Sequence, residues 1–442
     1  MNEILALSGV RQAALIRSRT ISPEEVFRLH LERIAEVNPK INAVVELLPR
    51  SAPRPGPLSG VPFSIKDSIE VEGTICSAGT LGYRNAPKSA RDATLVARLR
   101  AAGAVPIART NLPDLLFAFE TDNLLFGRTN NPYDHSRTCG GSSGGEAALI
   151  ASCGSPFGLG SDAAGSVRLP AHYCGIASLK PTSGRLPRAG HVPPAGGWIE
   201  RLWQIGPMAR RVEDLCALMP ILLGPELPYS DVPVKNLRVG YYTDNGFAEP
   251  DAETQAVVLR AAQALGAVQT RPPGIERSYE LEMMLLGADG GDGVREFLKS
   301  IGSDQTHPLL DGWLEKLEEY RTDVKGLASY FDLVDHFRAR MHAYLTTIDV
   351  VLSPVSSSAA LPHGTSIKDA NFKGFSYTMT HNLTGWPAAV VRCGETSAGL
   401  PIGVQIAAAP WREDIVLGVA LRLEEIFGGW HNGQGDRQAA AS

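Results

Sequence analysis

The chain has 442 residues, 44% of them hydrophobic and 20% charged, with a formal net charge of −5. This is the balance of an ordinary globular protein with material for a large core. Lys and Arg are scattered rather than blocked into runs, so nothing in the charge supports a nucleic-acid partner.

In chain order, residues 1–17 mix Glu3 and Arg11 among apolar residues and lack the basic start and long apolar core of a signal peptide. Ser22-Pro23-Glu24-Glu25 reads as a capping box with proline at the first helical position, opening a helix to about Glu36. Asn42 to Leu47 reads as a strand, Ser51 to Gly60 as a Pro/Ser/Gly linker, and Val61 to Ile65 as an apolar strand ending at Lys66. A helix over Asp92–Ala102, closed by Gly103, leads to a short strand, Ala104–Ala108. This strand, helix, strand rhythm indicates an α/β sheet with parallel pairs.

Gly140 to Gly165 is too poor in bulky residues for a core and suits close backbone packing. From Glu276 the pattern is helical to about Tyr344, through Leu281, Met283, Leu309, Trp313 and Leu317. Strands are expected at Ile348–Leu352 and Gly399–Ile406, a last helix at Glu413–Ile426, and a frayed polar tail after Gly428. With no repeat and no domain-scale linker, residues 1–442 read as one domain with a helical cap. No stretch approaches the roughly 18 consecutive apolar residues of a membrane span, so a cytoplasmic location is expected.

Chemistry-bearing patterns narrow the function. The six cysteines include no C-x-x-C pair and the ten histidines no H-E-x-x-H pair, so neither a metal nor a cofactor is expected. Gly158-Leu159-Gly160-Ser161-Asp162-Ala163 fits a loose dinucleotide fingerprint but lacks the acidic residue required about 20 positions later. Gly141-Ser142-Ser143-Gly144-Gly145 fits the nucleophile-elbow string, yet the lead-in from Tyr133 to Thr138 is polar loop rather than apolar strand.

A serine nucleophile needs a neighbour that accepts its proton. His135, His172 and His381 stand in no triad pattern and read as structural or surface residues. A lysine can serve if burial lowers its pKa, and Lys66, which ends an apolar strand, is the candidate. The bland alternative is a lysine that reaches solvent and pairs with Asp67.

Gly60 through Asp67, Gly140 through Gly145, and Gly160 through Arg168 together resemble the amidase-signature enzymes. The 24-residue spacing from Ser142 to Ser166 is similar to that family's, as are Asn382-Leu383-Thr384-Gly385-Trp386-Pro387-Ala388 and Gly399 through Gln405. The resemblance spans nearly the whole chain in order. It implies an α/β fold in which one large mixed sheet carries helices on both faces. The signature core would occupy residues 60–190, and residues 276–345 a helical cap or substrate-admitting region.

By the same resemblance, Ser166 is the nucleophile, Ser142 a bridge on a cis peptide, and Lys66 the general base. The backbone N–H groups of Ala163, Ala164, Gly165 and Ser166 would form the oxyanion hole, since small residues let several donors converge on one oxygen. Ser143, Ser161, Asp162 and Arg168 would support them by hydrogen bonds.

Thr110 through Pro113, Asn123 through Gly127, and Gly145-Glu146 most resemble the fatty-acid amide hydrolase branch. That branch would put Leu116 and Phe117 on an acyl-pocket wall, where the plain alternative is core packing. Three features depart from the family. Ala164 replaces a glycine, a change expected to tighten the turn. The linker before the lysine motif is short, with no helix read in it, and no N-terminal membrane helix is read. Met283, Met284 and Leu285 are expected on a buried helix face rather than against a membrane.

The expected reaction is hydrolysis of acyl C–N bonds in a small molecule through an acyl-enzyme, with esters and carbamates (urethanes) as further substrates. The alternative is the amidase subunit of a tRNA-dependent amidotransferase. Oligomeric state is not legible, and a homodimer is compatible with the sequence.

Overall fold

The structure is a computed structural model that describes residues 2–194, 197–224 and 236–432. Its spine is a mixed sheet of eleven strands: β1 (Val44–Leu47), β2 (Pro62–Lys66), β3 (Val105–Thr110), β4 (Phe157–Asp162), β5 (Ala177–Lys180), β6 (Gln204–Ala209), β7 (Val239–Tyr241), β8 (Val268–Gln269), β9 (Val350–Pro354), β10 (Ala388–Glu395) and β11 (Pro401–Ala408). Their spatial order is β1-β3-β2-β4-β6-β5-β10-β11-β9-β7-β8. β2 lies between β3 and β4 and runs parallel to both, as the strand, helix, strand pattern requires, whereas β4 meets β6 antiparallel.

Helices cover both faces of the sheet. Alternation along the strands separates the two cores: Ile205 and Ala209 of β6, with Ala389 and Val391 of β10, face one way. Met208 and Val390 face the other. The first core packs under the helices Thr94–Ala101, Val212–Leu223, Ala252–Ala264 and Glu413–Phe427. The second packs under Pro23–Ile41, Gly144–Ala151 and Arg168–Cys174.

The first long helix starts at the expected proline, with Ser22 accepting a hydrogen bond from Glu25 N–H, but runs on to Ile41. Asn42 ends it in the left-handed conformation (φ 48°), so β1 begins only at Val44. The linker 51–60 holds no helix. The small-residue stretch 140–165 is less irregular than its composition suggests, since it contains a buried helix, Gly144–Ala151, and all of β4.

Four helices, Ser278–Leu286, Asp292–Ser300, Pro308–Glu318 and Val324–Tyr344, fill the expected helical stretch. Met283 and Leu285 are buried and Met284 half-buried, so this face packs inward. No helix among the described residues is long and apolar enough to cross a membrane. Of the polar tail expected to fray, residues 433–442 lie outside the described residues.

Candidate active site

The parallel alignment of β2 with β4 brings Lys66, the last residue of β2, beside Ser161 near the end of β4. Lys66 is fully buried, with Nζ 2.6 Å from Ser142 Oγ and 3.1 Å from Ser161 Oγ. The reading in which Lys66 reaches solvent and pairs with Asp67 therefore fails, and Asp67 instead accepts from Arg109 Nε at 2.6 Å. Burial pushes the Lys66 amine well below the ordinary lysine range, while the charges of Asp162 and Glu146 pull it back up. Glu146 is itself buried, accepting from Ser64 and from Thr110 Oγ1 (2.7 Å), and burial raises its carboxyl to about 7.

Ser142 follows a cis peptide bond from Gly141. It precedes the Gly144–Ala151 helix, whose entry is pinned to the second serine segment by Ser143 N–H donating to Ser166 carbonyl oxygen at 3.1 Å. Ser143 Oγ donates to Ser161 carbonyl oxygen (3.2 Å) and accepts from Ser161 N–H (3.3 Å). Ser142 and Ser166, far apart in sequence, thus line one cavity.

Asp162 and Arg168 are both fully buried and form a bidentate pair, Arg168 Nε to Oδ2 at 3.0 Å and Nη2 to Oδ1 at 2.8 Å. Burial opposes the Asp162 charge, but Arg168 and Asn382 outweigh it and hold the carboxyl well below the usual carboxylate range. The remaining Arg168 donors reach Gln405 Oε1 (2.8 Å), Asn382 Oδ1 (2.6 Å) and Thr378 carbonyl oxygen (2.7 Å). Arg168 so ties the Ser166 turn to the Ser376–Leu383 helix and to β11.

One expected oxyanion donor is already engaged. Gly165 N–H donates to Asp162 Oδ1 at 2.9 Å, and Val167 N–H to Oδ2 at 3.1 Å. The Asp162 carboxylate just before the turn takes both of these groups, so the Gly165 N–H is not a free donor. Ala163, Ala164 and Ser166 N–H have no acceptor among the described residues. Gly165 has φ 124°, and a Cβ there would lie 2.3 Å from Thr378 Oγ1, which excludes larger residues.

Leu116 and Phe117 stand on the wall of the cavity that Ser142 and Ser166 share. Its other lining is Ala118, Phe119, Ala163, Ala164, Ile199, Trp203, Leu286 and Trp313, so the hydroxyls of the two serines are set in an apolar surround. Phe119 packs tightly on Phe375 (ring centroids 4.1 Å apart) and on Trp313 (4.9 Å). An outer chamber of about 280 Å³ shares Phe117, Ile199, Trp203 and Leu286 with this cavity. Its charged residues are spoken for: Arg188 is held by Glu200, and Asp289 accepts from Gly291 and Gly293 N–H.

None of the three histidines lines the cavity. His172 is buried with Nε2 3.1 Å from Ser358 carbonyl oxygen and Nδ1 accepting from Gly403 N–H. His381 is buried against Trp386, and His135 is exposed. Sequence reasoning missed Thr378 and the pocket residues Ile199, Trp203 and Leu286. No local pattern marks them: Ile199 and Trp203 come from one short turn of helix and the residue that closes it, and Leu286 and Thr378 from two other helices that only the fold brings together.

A mixed sheet carrying helices on both faces, with serines from two glycine-rich segments beside a buried lysine, defines a hydrolase class. Residues 25–417 match the family described as Amidase, and the chain belongs to it, as a hydrolase acting on amide C–N bonds. It is 31% identical to human fatty-acid amide hydrolase 2 over 97% of this chain and 90% of that protein. It is also 32% identical to a subunit of the glutamyl-tRNA(Gln) amidotransferase of Thermus thermophilus, over 92% of this chain and 94% of that one. Among solved structures, 6-aminohexanoate cyclic dimer hydrolase superposes with a TM-score of 0.84 at 28% identity, covering 96% of this chain and 97% of that one.

Proposed function

We propose that the protein hydrolyses neutral, apolar amides, with Ser166 as nucleophile, Ser142 as proton bridge and Lys66 as general base. The observation that carries this reading is a fully buried lysine amine 2.6 Å from Ser142 Oγ, at a cavity whose wall also holds Ser166. A desolvated amine is neutral at lower pH than a free one and can accept a proton. It takes the Ser142 proton as Ser142 takes that of Ser166, and Ser166 Oγ adds to the substrate carbonyl carbon. The oxygen that gains charge is met by the N–H groups of Ala163, Ala164 and Ser166. The proton returns through Ser142 to the leaving nitrogen as the C–N bond breaks. Water then repeats the sequence on the acyl-enzyme, releasing the acid and restoring Ser166.

Esters and carbamates present the same carbonyl and follow the same path. The amidotransferase reading is less well supported, because glutamine carries charged groups and the described residues lining the cavity offer none to pair with them. The helices between 276 and 345 serve as the cap, contributing Leu286 and Trp313 to the cavity wall.

The test is to incubate the isolated protein with an aryl anilide, a urethane and glutamine, and to map a fluorophosphonate label by mass. Hydrolysis of the apolar substrates with the label on Ser166 is expected. Turnover of glutamine alone, or a label on Ser142 or Ser143, overturns the proposal.

A further inference from the structure

The Ala164–Gly165 peptide is gripped at both ends. Its N–H donates to Asp162 Oδ1 at 2.9 Å, and its carbonyl oxygen accepts from Thr378 Oγ1 at 2.6 Å. A threonine hydroxyl has one proton, and the alternative acceptor, Phe375 carbonyl oxygen, lies further away at 2.9 Å. This peptide separates the N–H of Ala164 from that of Ser166, two of the donors without an acceptor among the described residues. Gly165, at φ 124°, is the residue with the torsional freedom to let it rotate.

Rotation of this peptide would turn the Ala164 carbonyl toward the site, placing a partial negative charge where negative charge must develop. It would also re-aim the flanking donors. Asp162 alone holds the N–H end. The carbonyl end depends on a side chain more than 200 positions away, and Thr378 is itself anchored by Arg168 Nη1 donating to its carbonyl oxygen at 2.7 Å.

We infer that Thr378 is a positioning residue whose hydroxyl locks the Ala164–Gly165 peptide in the orientation that leaves the oxyanion donors facing substrate. The inference rests on the proposed role of Ser166. It predicts that losing the hydroxyl weakens transition-state binding while leaving ground-state binding intact, because Thr378 does not line the substrate cavity.

The experiment compares Thr378→Val, which keeps the shape and removes the donor, with Thr378→Ser, which keeps the donor. An aryl anilide is the substrate, and Ser166→Ala is the control. Thr378→Val is expected to lose at least about tenfold in kcat, less than the roughly 10²–10³ of deleting an oxyanion donor outright. KM should change by less than about twofold. Thr378→Ser should restore kcat to within about threefold of the parent.

Parent-like kcat in Thr378→Val overturns the inference. So does equal impairment of both variants, or a loss that appears only in KM. Because Thr378→Val leaves a buried carbonyl without its donor, melting temperatures accompany the kinetics, and the Ser variant reports even if Val folds poorly. If Ser166→Ala retains activity, the reading of the site itself fails; if it is inactive while Thr378→Val is unimpaired, only the role of Thr378 does.

Discussion

The turn around Ser166 and the cavity in front of it are built on opposite principles. In the turn, polar groups are densely paired: Asp162 accepts from two backbone amides, Asn382 and Arg168, and Arg168 spreads its donors over four partners. The cavity wall is aliphatic and aromatic, held by ring contacts such as Phe119 on Phe375. Directional bonds tolerate little displacement, whereas dispersion and burial tolerate shape changes at modest cost. Chemistry should therefore be brittle to mutation here, and substrate choice pliable.

The largest effect expected is on the brittle side. Ser166→Ala should lower kcat by about 10⁵ or more with little change in melting temperature; retention of more than a trace of that rate by purified protein would move the nucleophile elsewhere. Ser142→Ala should cost about 10²–10⁴, the range of a proton-transfer group. It should be strongly non-additive with Lys66→Ala, because both would break the proposed relay. If Ser142 only ties down its loop, melting temperature falls instead while kcat of the folded fraction stays near the parent value.

Lys66 sharpens the comparison through pH. Its folded pKa is depressed by burial, so the rate should rise with pH as the amine loses its proton, along a limb well below the titration of a free lysine. The unfolded chain binds this proton more tightly than the folded one. The Lys66 contribution to stability therefore improves as pH rises from the folded to the unfolded pKa, and below that window its charging costs stability. Lys66→Met should accordingly be inactive yet melt no lower than the parent at neutral pH. A lower melting temperature would show that the Lys66 hydrogen bonds to Ser142 and Ser161 outweigh the cost of burying the amine. Replacing His172 or His381 should leave the rising limb in place wherever the variant folds, and its disappearance would mean that a histidine is the base.

The smallest effect belongs to the pliable side. Leu116→Ala or Trp313→Phe should change kcat/KM for a bulky apolar amide by about 1–3 kcal/mol, the scale of lost apolar contact. A small substrate such as an acetanilide should be nearly unaffected. Equal losses on both substrates would place these side chains in the turn's framework instead of in substrate choice.

The sequence by itself determined the family and much of the secondary structure. Lys66 closing an apolar strand is a local pattern, while the two serines in glycine-rich runs and Asp162 with Arg168 are legible because they fall in the contiguous motifs that carry the family resemblance. Only the tertiary structure decided which donors remain free. The family resemblance implies Gly165 as an oxyanion donor, yet Asp162 accepts its N–H. The tertiary structure also decided that Lys66 is wholly enclosed, that Leu116 and Phe117 meet Ile199, Trp203, Leu286 and Trp313 around one cavity, and that Thr378 grips the Ser166 turn. Apolar residues that line a pocket and those that fill a core obey the same burial energetics, so they carry no distinguishing mark along the chain. A hydroxyl's partner depends on what the fold brings within about 3 Å of it, which composition and periodicity leave open.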